Sequence, residues 1–418
     1  MRQMVTKKRA TIALILLGFV GFLGWRFVRP MNIFVVSPAF ERPISTAKAP
    51  DLFDTLSAKE CASCHVDVFN EWSTTMHSKA WTDPYFQVDF VFDGSLQICK
   101  NCHIPLDRQQ EHLVLGFHDQ DKWDPILAPN PNFDRDLQQE GVTCAVCHLK
   151  EGKIVGPRGS KIAPHPVSKI ENSNQICVRC HVVGGKRWDT FYRFPPCGTV
   201  AEIQATRDAK TGEKGEATPH GTSGEVTAEN AAALGCVECH MPLARRPVVA
   251  GGEPRLVRQH IWRGGHDPDM VKKGLDIKLT AAPGSSAQTR RYTITLTNVG
   301  AAHYLPTGTP DRHLTVRLRT LDAGGKVLDE QNHKLGRTVM WRPFIIDLWD
   351  TRLPRWKPRT FDIEVPTAGP GAPVALEAAV YYFLVDEKRR VRIGYDDKDA
   401  TFYEVFRRRL QLVERSPG

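Results

Sequence analysis

The pattern of apolar and polar positions changes twice along the 418-residue chain. Residues 10–25 form an uncharged apolar run behind Lys7, Lys8 and Arg9, which predicts one hydrophobic helix. Between about residues 59 and 273 no period lasts long: VFNEWSTTMHSKAW (68–81) predicts an amphipathic helix, and prolines and glycines break the rest into short pieces. From about Leu275 the segments LDIKLTAA, RRYTITLTN, HLTVRLRTLD, KVLDE, RTFDIEVPT, VALEAAVYYFLV and TFYEVFRRRLQLV alternate apolar with polar residues. They are separated by APGSSA, DAGGK and TAGPGAP, so they predict an Ig-like all-β sandwich of seven or eight strands. The expected organisation is an anchor over 1–30, a linker over 31–58, a mainly α and irregular domain over 59–273 and the sandwich over 274–418.

The first segment is a transmembrane helix or a secretory signal. Its 16 uncharged residues are short for a span, although Phe27 and Val28 extend it past Arg26, whose long side chain can reach the interface. RFVRPMNIFVVSP follows without the small residues of a cleavage site, which favours an uncleaved anchor. The basic start stays inside and the remainder is exported, so the expected location is the periplasmic side of a bacterial inner membrane.

Eleven cysteines in an exported protein would ordinarily suggest disulfides, but ten of them form five Cys-x-x-Cys pairs, each followed directly by histidine. These are Cys61/Cys64/His65, Cys99/Cys102/His103, Cys144/Cys147/His148, Cys177/Cys180/His181 and Cys236/Cys239/His240. Chance would give on the order of 0.01 such pentapeptides in the whole chain. The pattern is that of c-type haem attachment, in which two thiols bind the vinyl groups and the histidine becomes the proximal iron ligand. Zinc is excluded because five pairs cannot be shared evenly among four-thiolate sites and the histidines would be unexplained. The sequence therefore predicts five covalently attached haems c within about 180 residues, close enough to form a conducting chain. Cys197 is left over, as a free thiol or an intermolecular link.

What fills each sixth position separates a wire from a catalyst. Ten histidines lie outside the motifs. If the 68–81 helix is continuous, His77 rises about 18 Å from the first motif and can reach only a neighbouring haem. Pro105 lets the chain turn back at His112, prolines on both sides hold His165, and Gly264-Gly265 between His260 and His266 allows close approach to a flat macrocycle. His303 lies in a Gly/Pro-rich turn, as a ligand or as a loop residue of a docking domain. His118, His220, His313 and His333 are weaker candidates.

EWSTTMHSKA, EGVTCAVCH, CVECHMP and HIWRGGHD, together with the five motifs, resemble the bis-histidine multihaem cytochromes c, in the branch of the tetrahaem cytochrome of hydroxylamine oxidation. The resemblance covers about residues 59–271. It implies that His77, His112 and either His260 or His266 are distal ligands. A fifth motif and a polar insert around ATRDAKTGEKGEATPHGTSGE, expected to be a surface loop, depart from that pattern. The pentahaem nitrite reductases are also similar around CHMP, but they carry a lysine in place of one proximal histidine, and this chain has no C-x-x-C-K.

The expected function is electron transfer between redox proteins, other cytochromes or a membrane oxidoreductase, rather than enzymatic catalysis. The alternative is an enzyme acting on a small nitrogen or sulfur oxyanion at one open haem. A quinol dehydrogenase is disfavoured by the linker ahead of the first motif. Self-association or hetero-association is left open. Nucleic acid is not needed to explain the charge: five haems at about −1 each, with their propionates, bring the net +9 of the chain to about +4.

Overall fold

The structure, a computed structural model, describes residues 2–28, 41–118, 124–161, 164–181, 190–191, 198–211, 235–283, 286, 288–341, 343–367, 369–396 and 400–412. Cys197 and His220 lie outside the described residues.

Helix α1 (Arg2–Val28) contains the one stretch among the described residues long and apolar enough to cross a membrane, Lys8–Phe27, with mean hydropathy 1.8. The cysteine-rich region is a set of short helices: α2 (Ala58–Ala62), α3 (Val66–Ser73), α4 (Pro84–Phe92), α5 (Gln97–His103), then the hairpin β1 (His112–Phe117) and β2 (Pro125–Pro129). It continues through α6 (Arg135–Gln138), α7 (Cys144–His148), β3 (Leu149–Lys150), β4 (Lys153–Gly156), β5 (Val167–Lys169), α8 (Asn174–His181), β6 (Thr190–Phe191), α9 (Thr199–Thr211), α10 (Cys236–His240), β7 (Leu243–Arg246), β8 (Arg255–Arg258) and α11 (Pro268–Gly274).

Three expectations change here. The 68–81 helix stops at Ser73, because Thr74 and Thr75 fold their hydroxyls back onto the carbonyls of Glu71 and Trp72, and the chain turns through His77 to Trp81. The helix-rise argument for His77 therefore does not apply. The linker ends before residue 41 on one side: Ile44, Phe53 and Leu56 pack with Leu106, Leu137 and Leu149, and Ile44 N–H donates to Pro105 O at 2.7 Å. Finally, the start of the polar insert is helix α9 rather than loop, and residues 212–234 lie outside the described residues.

The C-terminal strands are β9 (Leu275–Ala281), β10 (Thr289–Asn298), β11 (His313–Leu321), β12 (Val327–Leu335), β13 (Arg337–Met340), β14 (Ile345–Asp350), β15 (Arg359–Pro366), β16 (Ala375–Phe383) and β17 (Phe402–Gln411), with helix α12 (Glu387–Ile393) before the last. Two antiparallel sheets, ordered β15-β10-β9 and β12-β11-β16-β17, face each other. Period-two alternation sends Tyr292, Ile294 and Leu296 inward from one sheet and Leu314, Val316, Leu318, Ala378, Val380 and Tyr382 from the other. Each fully buried Leu, Ile or Val contributes about 1.5–3 kcal/mol. The sandwich thus has seven strands in its two sheets, and β13–β14 form a separate hairpin that pairs with β6.

The basic run EKRRVRI forms helix α12. Its Arg389 bonds Asp89 at 2.6 Å and Asp93 at 3.0 Å across the junction to α4. A second tie is buried: Arg352, ahead of β15, meets Glu202 of α9 at 2.6 Å and Asp350 at 2.7 Å.

Candidate functional site

Between the short helices and the sandwich lies one continuous cavity of about 3910 Å³, several times the roughly 300–1,000 Å³ of an ordinary ligand pocket. All ten motif cysteines line it, with His65, His103, His148, His181 and His240 beside them. Thiols of different motifs lie within hydrogen-bond reach: Cys61 with Cys144, Cys177 with Cys236 and Cys180 with Cys102. The motifs therefore sit side by side around shared space.

Local structure aims the rings. The Nδ1–H of His65 donates to Val248 O at 2.9 Å, His103 to Ala80 O at 2.6 Å, His148 to Val155 O at 2.8 Å and His240 to Arg263 O at 2.6 Å. An imidazole bonded through Nδ1–H presents an unprotonated Nε2, the form that binds a metal. Burial keeps several of the rings neutral, pushing His77 down to about 3 and His103, His260 and His266 down to about 4, and lowering His148, His181 and His303 as well.

Four motif histidines face a second imidazole. The ring centroids of His65 and His165 are 6.3 Å apart, His181 and His77 6.5 Å, His148 and His260 6.0 Å, and His240 and His303 6.4 Å. Two imidazoles bound on opposite sides of one metal, with metal–nitrogen bonds of about 2 Å, would have ring centres about 6.3 Å apart. The donor set, its spacing and the cavity volume therefore fit bis-histidine haem. The partnerless, buried Nδ1 of His165 is the kind of atom a bound group would satisfy. In every pair the second ring comes from a different segment: His165 lies two motifs beyond His65, and His303 belongs to the β-rich region.

His103 differs from the other four. Phe86 stacks on its face at 3.6 Å, and no second described imidazole lies opposite it. His266 lines the cavity but bonds Arg312 Nη2 at 3.4 Å, so of the two sequence candidates after the fifth motif it is His260 that gains a ring partner. The structure does not bring His112 to the cavity. It is exposed at the first position of β1, because the chain after Pro105 forms a hairpin instead of turning back. His118 is exposed as well, while His313 and His333 stack on Phe383 and Phe361 in the sandwich.

Several contributing residues escaped the sequence reading. Trp262 stands edge-on between His77, at 4.9 Å, and His260, at 5.2 Å, and its φ of +33° is held by the packing around it. Glu71 accepts the backbone N–H of His260 at 2.8 Å and bonds Arg246 at 2.6 Å. Glu202 accepts Tyr304 N–H at 3.2 Å, fixing the residue next to His303. Gly141 has φ +60°, and a Cβ there would lie 2.7 Å from His77 O, so the EGVTC segment needs glycine to support the His77 turn. A glycine in front of a motif was visible in the sequence; the tertiary partners of the two carboxylates were not.

The family described as cytochrome c554 and c-prime matches residues 60–122. The chain is similar in fold to a solved penta-haem cytochrome c552 from Thermochromatium tepidum, with TM-score 0.57 and 18% identity over 85% of this chain and 99% of that one. A protein from Bordetella pertussis described as ApaA aligns over 34% of this chain and 95% of its own, at 15% identity and TM-score 0.19, too low to carry an argument. A search of curated proteins returns no match. The family match and the shared fold support a multihaem cytochrome c with covalently bound haem c.

Proposed function

We propose that the chain is a membrane-anchored, periplasmic pentahaem cytochrome c that passes electrons between redox partners, other cytochromes or a membrane oxidoreductase. The observation carrying this reading is the set of four histidine pairs, 6.0–6.5 Å apart, in one continuous cavity. When bound, haem c supplies reversible one-electron chemistry at its iron. The ten thiols attach the five groups, and the motif histidines with His165, His77, His260 and His303 hold the irons. Carbonyls behind the rings fix the ligating nitrogen. Neighbouring thiols, Cys61 with Cys144, Cys147 with Cys180 and Cys177 with Cys236, support the order first, third, fourth, fifth motif, with the second beside the fourth through Cys102 and Cys180, so each group would have a close neighbour.

A second reading, an enzyme for small nitrogen or sulfur oxyanions, is favoured by the surroundings of His103. Phe86 on α4 covers one face of that ring; one turn further, Asp89 faces Arg389 and Asp311, and Arg312 lies on His266. Burial pushes the Asp311 carboxyl up to about 6, so it could hold a proton near neutral pH beside arginines suited to an anion.

Electron paramagnetic resonance of the oxidised protein tests both. Four low-spin irons and one high-spin iron that shifts on adding cyanide or nitrite support four closed carriers and a substrate position at His103. Five low-spin irons would remove the enzymatic reading, and fewer than four would sink the proposed wire.

A further inference from the structure

We propose that Trp341, Pro343 and Phe344, at the tip of the β13–β14 hairpin, form a membrane seat that inserts into the lipid–water interface beside α1 and holds the wall of the haem cavity against the bilayer. The inference rests on the reading of α1 as a retained anchor.

Along α1 every side chain from Lys8 to Val20 is exposed, with Ile12, Leu14, Ile15, Leu16, Leu17, Phe19 and Val20 each more than half so. That is the lipid-facing surface of a span. Among Lys8–Phe27 only Phe22, Leu23 and Arg26 are half-buried; they occupy one face of the last turns, and the hairpin tip meets Phe22 and Arg26 there. Phe22 and Phe344 have ring centroids 6.4 Å apart, Arg26 Nε donates to Pro343 O at 3.0 Å, and the guanidinium lies 5.7 Å from the Phe344 ring centre.

Helix rise converts this contact into a depth. The apolar span ends at Phe27, and Phe22, five residues earlier, lies about 7.5 Å inside that end. Phe344 packs between Phe22 and Arg26, on the last turns of the span, a depth compatible with the roughly 5–10 Å over which interfacial elements enter the boundary between headgroups and acyl chains. The tip has the chemistry for that position. Phe344 and Trp25, with ring centroids 6.4 Å and 6.0 Å from that of Phe22, form a cluster of the aromatic type that populates the interface. Pro343 has no N–H to satisfy, and its carbonyl already has Arg26 as a partner. Behind the tip, Ile345 and Ile346 pair with β6, so that edge of β14 is not left open.

Trp341 also lines the haem cavity. It is three residues from Phe344, at most about 10 Å of extended chain. A seated tip therefore brings the cavity wall to the membrane surface, whatever the reach of the segment between α1 and the first motif.

The test uses the full-length holoprotein in phosphatidylethanolamine/phosphatidylglycerol vesicles that contain a diazirine phospholipid, photolysed and mapped by peptide mass spectrometry. Lipid adducts are expected on residues 12–27 and on residues 341–346. In a Phe344→Glu variant the 341–346 adducts should fall to background, while those on 12–27 and the haem spectrum are unchanged. Adducts on 12–27 with none on 341–346 in the unaltered protein would overturn the seat and leave the anchor standing. Adducts on neither segment would overturn the anchor, and the seat with it.

Discussion

A carbonyl oxygen behind an imidazole decides which nitrogen the ring presents, and four of the five motif histidines carry such a tether. The tether belongs to the proximal side; the distal side depends on single side chains from elsewhere in the chain. His77→Ala is therefore expected to convert one low-spin iron to high-spin while all five haems stay attached, because no thiol is touched; resonance spectra and the intact mass check this. His112→Ala is expected to change neither, since that ring is exposed on a hairpin. By spacing from their motifs the two histidines were equal candidates, His77 twelve residues on and His112 nine. What separated them was whether the chain turned back or ran on as a strand, and Pro105 permits both. The motifs themselves were fully legible, because attachment needs both thiols and the histidine on one short turn.

At the scale of elements, short helices are held by contacts that sequence periodicity does not encode. Gly141→Ala places a Cβ against the His77 turn in a left-handed backbone conformation, and is expected to destabilise the protein by about 1–3 kcal/mol, read by thermal unfolding. Removing one partner of the buried Arg352–Glu202 pair, as in Glu202→Gln, is expected to cost about 3–5 kcal/mol. It should also release the His303 turn, so loss of one low-spin signal is the distinguishing readout. The seven sandwich strands were legible because alternation is a local signal, and the inward positions of that alternation form the core. The β13–β14 hairpin, RTVMWRPFIIDLWD, was not: it has no period-two pattern, since Arg337 is buried against Asp347 and Trp349 is 61% exposed. Helix α12 was hidden for a related reason, as its basic residues answer Asp89 and Asp93, which lie almost 300 positions away.

Across the molecule, the β-rich region is joined to the cysteine-rich region by charge at two places among the described residues, and acid should loosen that junction. Burial opposes ionisation of Asp350, but the bonds and charge of Arg352 outweigh it and hold its carboxyl below the usual range. A depressed carboxyl contributes stability that is present above its unfolded value of about 3.9 and is lost as pH falls toward the folded one. The low-spin signal assigned to His303 is thus expected to fade below about pH 4, and Asp350→Asn should remove that acid limb; an identical limb in the variant would show that another group controls it. The dependence of one haem on a domain with no cysteine of its own has a further consequence, for biogenesis. Under the proposed function, attachment of five haems would not finish the protein, because His303 faces His240 only where the sandwich has folded and Glu202 has met Arg352. Until then one iron position would stay open to small ligands, so folding of the sandwich would close a redox centre that it does not attach.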